Sequence, residues 1–254
     1  MSERLLVPAQ RTALADWRTL LQRAVHADPE AAMRLSVQGD VLVLTVAPLH
    51  PAGLGDTMPL VLGMRTLRLQ NPALDGLDVV VEARALLDRF ARLEEPRPLD
   101  LLEQGSGLVD GSMPDTAGAA SSGPVPGIDV PPAEVRVPWA GIAPPRGPWE
   151  PVGTVSASSL RAAADTGIEE IATGAPEGSG GHAVDALRRR VWARTALEVA
   201  STQDGPSPAS VPVVAGAAFG AHVLGFLPQS GQATLLRSGP WTRLTLPGGH
   251  ILVR

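Results

Sequence analysis

The densest group of chemically capable side chains lies in the glycine-rich stretch GAPEGSGG and the helix it introduces. There Ser179, His182 and Asp185 offer a hydroxyl, an imidazole and a carboxylate. As a hydrolase triad the spacing is poor, because nucleophile, base and orienting acid normally come from separate elements that converge on one point. A second chemistry suits the same stretch better. Free N–H groups at a helix N-terminus hold phosphate or carboxylate, so Gly178, Ser179, Gly180, Gly181 and His182 form the ligand-binding candidate. The stretch matches neither the dinucleotide fingerprint nor the phosphate-loop consensus, and Glu177 within it would repel an anion.

The five histidines, at positions 26, 50, 182, 222 and 250, form no HExxH and no i, i+4 pair. No metal site is therefore expected, and no cofactor signature is present. His222 and His250 share the C-terminal stretch, where an imidazole ordinarily serves as a hydrogen-bonded packing group. No catalytic residue is assigned. Large classes of chemistry are also excluded by composition: all 21 basic residues are arginine and there is no cysteine. A chain without lysine has no amine for a Schiff base and no phosphate-loop lysine, and one without cysteine has no thiol nucleophile, disulfide or thiolate metal site.

Four of the five tryptophans, Trp139, Trp149, Trp192 and Trp241, fall in the C-terminal part, two of them after Gly-Pro. Tryptophan and arginine are enriched where proteins bind proteins, so Trp149, Trp192, Trp241, Arg188 and Arg189 form the candidate partner surface. The competing reading is bulk packing in a chain with no tyrosine and only three phenylalanines. The run Arg188–Arg190 with Arg194 is the one local basic cluster, and successive helical residues about 100° apart spread it around a helix rather than along a reading edge.

These side chains need elements to hold them. Residues 10–27 carry Leu14, Trp17, Leu20, Leu21 and Val25 at helical spacing. Gly39-Asp40 separates two β-rich runs as a hairpin turn, a third strand follows with a bulge or bend expected at Gly63, and residues 77–81 and 82–93 read as a strand and a closing helix. The prediction is a small antiparallel sheet with helices over residues 1–95. Twelve of the 25 prolines lie between positions 96 and 151. Residues 96–133, one arginine against five acidic side chains for a net charge of −4, read as a Pro/Gly-rich acidic linker.

The C-terminal part, 134–254, opens with an expected strand at 135–143. A strand at 152–155 follows, then a helix from about 158 capped by Ser156–Ser159, a helix over 182–200, and an uncharged apolar helix over Val211–Leu227 with Pro212 in its first turn. Strands at 233–237, 241–246 and 250–253 complete it. The predicted class is α+β, with three helices and a terminal β-hairpin in this part, and the apolar helix is expected in a core rather than a membrane. The layout of three helices and a hairpin is similar to a winged helix, but its third helix is uncharged. Residues 134–254 also carry a net charge of only +1, which argues against nucleic acid as a partner. The N-terminus lacks the apolar run of a signal peptide, so a cytoplasmic location is expected.

The stretches WEPVGTVSASSLRAAADTGIEEIA, GAAFGAHVLGFL and PWTRLTLPGGHILVR, within residues 149–254, resemble a family of uncharacterised actinobacterial proteins. The resemblance implies a bacterial origin and a folded C-terminal unit, and it carries no activity. The functional expectation is a non-catalytic binding or scaffold protein engaging a protein partner or a second copy of itself. The alternatives are a hydrolase or transferase using His, Asp, Glu or Ser with an arginine clamp, and a DNA-associated regulator.

Overall fold

A computed structural model describes residues 4–53, 55–94, 124–174, 180–201 and 210–254. The elements in chain order are β1 (Leu5–Leu6), α1 (Thr12–Ala27), β2 (Ala32–Gln38), β3 (Val41–Leu49), β4 (Val61–Arg68), β5 (Asp78–Glu82), α2 (Ala83–Glu94) and β6 (Ile128–Asp129). They continue with β7 (Glu150–Ser156), α3 (Ala157–Gly174), α4 (Gly181–Ala193), β8 (Thr195–Ala200), β9 (Ser210–Val214), α5 (Ala215–Val223), β10 (Gln232–Ser238), β11 (Trp241–Leu246) and β12 (Gly249–Val253). The class is α+β, as the periodicities predict.

Eight strands form one antiparallel sheet in the order β5-β2-β3-β4-β12-β11-β10-β7. Strand alternation sends Leu35, Leu42, Leu44, Val61, Leu235, Leu244 and Ile251 to one face, where all are buried. The helices pack on this face, α1 against β3 and α5 against β3, β4 and β12. Topology is symmetric about the middle of the sheet. A helix followed by a three-stranded meander occurs twice, as α1-β2-β3-β4 and α5-β10-β11-β12, and the last strands of the two meanders pair through His250–Met64 and Val253–Val61. Residues from the predicted N-terminal and C-terminal parts thus share a sheet.

The Gly39 turn joins β2 to β3 with φ of 59°. Ser156 caps α3, its Oγ accepting from the Ser159 N–H at 2.9 Å. Four expectations need correction. β4 passes through Gly63 without a bulge; the register irregularity lies in β3 between Val46 and Leu49, and the missing side chain at Gly63 instead leaves room for Leu224. The expected strand at 135–143 contains a 3₁₀ turn, Pro138–Gly141, because Pro138 has no N–H to give a ladder.

The helix expected over 182–200 stops at Ala193, and Thr195–Ala200 pairs antiparallel with Ser210–Val214. The long apolar helix is likewise shorter than expected, since Val211, Val213 and Val214 are strand residues and α5 begins at Ala215. β-branched side chains favour the pleated backbone once a partner strand is available. No helix among the described residues is long and apolar enough to cross a membrane. Of the expected linker 96–133, residues 96–123 lie outside the described residues; Ile128–Asp129 pairs with Leu5–Leu6.

Candidate functional site

The sheet face opposite the helices carries the residues out of phase with the core: Arg34, Ser36 and Gln38 on β2, Val43 and Thr45 on β3, Met64 on β4, Leu252 on β12 and Arg243 on β11. Residues 130–149 cross this outer face as a strap. Trp139 from the strap packs with Trp241, Leu62, Leu252, Ala32 and Leu60 in a second, smaller core. The Val135 N–H donates to Val80 O at 2.8 Å on the edge strand β5.

Arg34 holds the strap to the sheet. Its Nε and Nη2 donate to the two carboxylate oxygens of Asp78, both at 2.6 Å, and its Nη1 donates to Ala140 O at 3.1 Å. The hydrogen bonds with Asp78 raise the Arg34 pKa against the lowering effect of burial, and the same bonds hold the Asp78 carboxyl below the usual range. A carboxylate with a depressed folded pKa contributes stability above its unfolded value of about 4, and the contribution is lost as pH falls through the folded value. Asp78→Asn is therefore expected to lower the hydrogen-exchange protection factor of the Val135 amide at neutral pH, and acid is expected to lower the same factor in the unmodified chain once the slower intrinsic exchange at low pH is divided out. Equal exchange in variant and parent would remove Arg34 from this role.

Beyond the 3₁₀ turn the strap runs through Pro144, Pro145 and Arg146 and returns Trp149 to the sheet. A cavity of about 380 Å³ lies between these residues and the outer face. The Arg243 guanidinium sits 4.6 Å from the Trp149 ring centre, a cation–π distance. Its Nε is buried without a hydrogen-bond partner among the described residues, and burial lowers the Arg243 pKa. His250 lies one strand away with Nδ1 3.2 Å from Thr245 Oγ1, and burial followed by the Arg243 charge pushes its pKa down.

Two further cavities flank the strap. One, of about 420 Å³, lies between Trp139, Ile142 and the loop carrying Asp56; the other, of about 440 Å³, is walled by Val135, Val137 and Glu82. Asp56 accepts from the Ala52 and Met58 N–H groups at 2.8 and 3.0 Å and pairs with Arg189 at 2.9 Å. Those backbone hydrogen bonds, ahead of the Arg189 charge, lower its pKa.

Of the ligand-binding candidates, Gly178 and Ser179 lie outside the described residues. Gly180 precedes α4 in an extended conformation without a side-chain cap, and Gly181 and His182 are exposed. Asp185 is exposed as well. Of the partner-surface candidates, Trp149 is half-buried beside the cavity, whereas Trp192 and Trp241 are buried at 2% and 4% exposure. Arg188 is exposed, and Arg189 is tied to Asp56. His222 and His250 do not share a partner: His222 faces Asp165 at 3.7 Å, and His250 faces Thr245.

Arg34, Asp78, Arg146 and Arg243 were not singled out by sequence reasoning. The available signal was strand phase, since Arg34 and Arg243 are the only charged residues of β2 and β11 and both fall on the outward phase.

A comparison with solved structures returns a beta sliding clamp of Caulobacter crescentus with bound polyethylene glycol, at 15% identity and TM-score 0.42 over 98% of this chain and 64% of that one. A DnaN sliding clamp (DNA polymerase III subunit beta) of Bartonella birtlesii bound to griselimycin matches at 13% identity and TM-score 0.43 over 99% of this chain and 65% of that one. The chain thus spans slightly less than two thirds of their length. A search of curated proteins found no match. Two family models match the sequence: residues 1–120 match a domain of unknown function (DUF8010), and residues 144–254 match a second domain of unknown function (DUF8185).

Proposed function

We propose that the protein is a non-catalytic binding protein that engages a protein partner through the strap-crossed outer face of its sheet. The supporting observation is the clustering of three cavities, of about 380, 420 and 440 Å³, along the strap on this face. The opposite face is closed by helices. A half-buried tryptophan bordered by arginine and proline is the kind of anchor that carries binding energy at protein interfaces, and Trp149 stands in that setting with Arg146 and Arg243.

The test is site-specific photocrosslinking in the cells from which the protein comes, with the crosslinker placed at Arg146 on the outer face or at Arg188 on α4. A discrete protein adduct is expected from position 146 and not from position 188. Adducts from 188 alone, or from neither position, would count against this face as the binding surface.

A further inference from the structure

Three arginines and one carboxylate line the cavity between strap and sheet: Arg34, Arg146, Arg243 and Asp78. Each nitrogen of the Arg34 guanidinium donates one hydrogen bond, two to the oxygens of Asp78 and one to Ala140 O. Among the described residues that line the cavity, no second carboxylate is present for the other two. Among the described residues neither Arg146 nor Arg243 has an ion pair, and the Arg243 Nε is buried without a partner. Its stacking on Trp149 fixes the guanidinium plane but provides no acceptor.

A partly buried cation without a counter-charge is an unfavourable arrangement, and a buried donor without an acceptor adds to it. Trp149 and the strap hold Arg243 in that arrangement against one wall, with Arg146 on the strap side of the same cavity. Two guanidiniums lining one cavity supply the positive charge and the paired N–H donors that the oxygens of a phosphate or carboxylate accept. Ser36 and Thr45 also line the space and bring hydroxyl groups to it. The volume, about 380 Å³, is at the small end of ligand cavities.

We propose that this cavity is a binding site for the oxyanion group of a small molecule, a phosphate or a carboxylate, with Arg243 and Arg146 as the recognising residues and Trp149 as the platform that orients Arg243. The site goes beyond the partner reading and does not rest on it, since anion binding is measured on the purified chain alone.

The experiment titrates the full chain with inorganic pyrophosphate in one arm and malonate in the other. Each is set against sodium chloride at matched ionic strength, and the Arg243 Nε–H resonance is followed by NMR alongside binding heat. A saturable shift with at least one of the two anions, absent with chloride, is expected, and the arm that responds identifies the oxyanion. Arg243→Gln is expected to weaken that binding at least about tenfold, as loss of a charge-assisted paired contact does.

Arg92→Gln, on the exposed side of α2 across the sheet from the cavity, is expected to leave it unchanged. No saturable response beyond chloride in either arm, or an affinity unaltered by Arg243→Gln, overturns the assignment. Should Arg243→Gln fail to fold, Arg146→Gln decides: Arg146 is exposed, a loss of about threefold or more is expected, and an unchanged affinity overturns the site. Failure of the crosslinking experiment would leave this result standing, and failure here would leave the partner interface untouched.

Discussion

Trp192→Ala is expected to lower the free energy of unfolding by about 3–5 kcal/mol, the range for removing a large buried aromatic side chain. Trp192 is 2% exposed and joins three helices. It belongs to α4, stacks on Phe219 of α5 with ring centres 4.5 Å apart, and lies against Gly167 of α3, where even a methyl group would overlap the ring. Gly216 of α5 approaches the Trp192 carbonyl as well. Deleting the indole would leave a cavity among helices whose glycines are already in close approach, so collapse can fill little of it. Global stabilities of about 5–15 kcal/mol make such a loss large. Urea unfolding followed by circular dichroism reads it as a lower midpoint. A midpoint close to that of the parent would show that the indole is not a central packing element.

Gly249→Val is expected to cost about 2–4 kcal/mol, from overpacking and from a backbone angle that side chains rarely adopt acting together. Gly249 has φ of 151°. A Cβ there would stand 2.8 Å from Met64 O and 2.8 Å from the Phe226 ring, so neither the neighbouring backbone nor the ring can move aside cheaply. The position is also topologically central, opening β12, which pairs with β4 and joins the two meanders. Gly239 is the comparison. Its φ is 54° but no atom lies within 4 Å of a Cβ built there, so Gly239→Ala should cost only about 1 kcal/mol. Similar losses at both positions would mean that the contact between β12 and Phe226 contributes little.

Local elements were readable where their signals are local. Gly39-Asp40 between alternating runs specifies the β2–β3 hairpin, the spacing of Leu14, Trp17, Leu20 and Leu21 specifies α1, and Ser156 marks the start of α3. The readings failed where a segment had two acceptable conformations. Val211–Val214 suits either the first turn of an apolar helix or a strand, and the availability of Thr195–Ala200 as a ladder partner decides for the strand. Residues 135–143 look like a strand because of Val135, Val137 and Ile142, yet they form a strap whose apolar side chains reach the outer face.

The candidate site was less readable than the fold, for a related reason. Trp149 is a candidate by residue type alone, but the Arg243 it stacks on lies 94 positions away, and Arg34 and Asp78 are 44 apart. By itself the sequence determined the α+β class, most helices and strands, and the chemistries closed to a chain without lysine or cysteine. These follow from residue type and from periods of about two and 3.6 residues. Only the tertiary structure decided that β4 and β12 merge two meanders into one sheet, that residues 130–149 cross its outer face, and that Arg243 stacks on Trp149 with no counter-charge among the described residues. Those outcomes depend on which distant surfaces bury one another, and no short stretch of sequence encodes that.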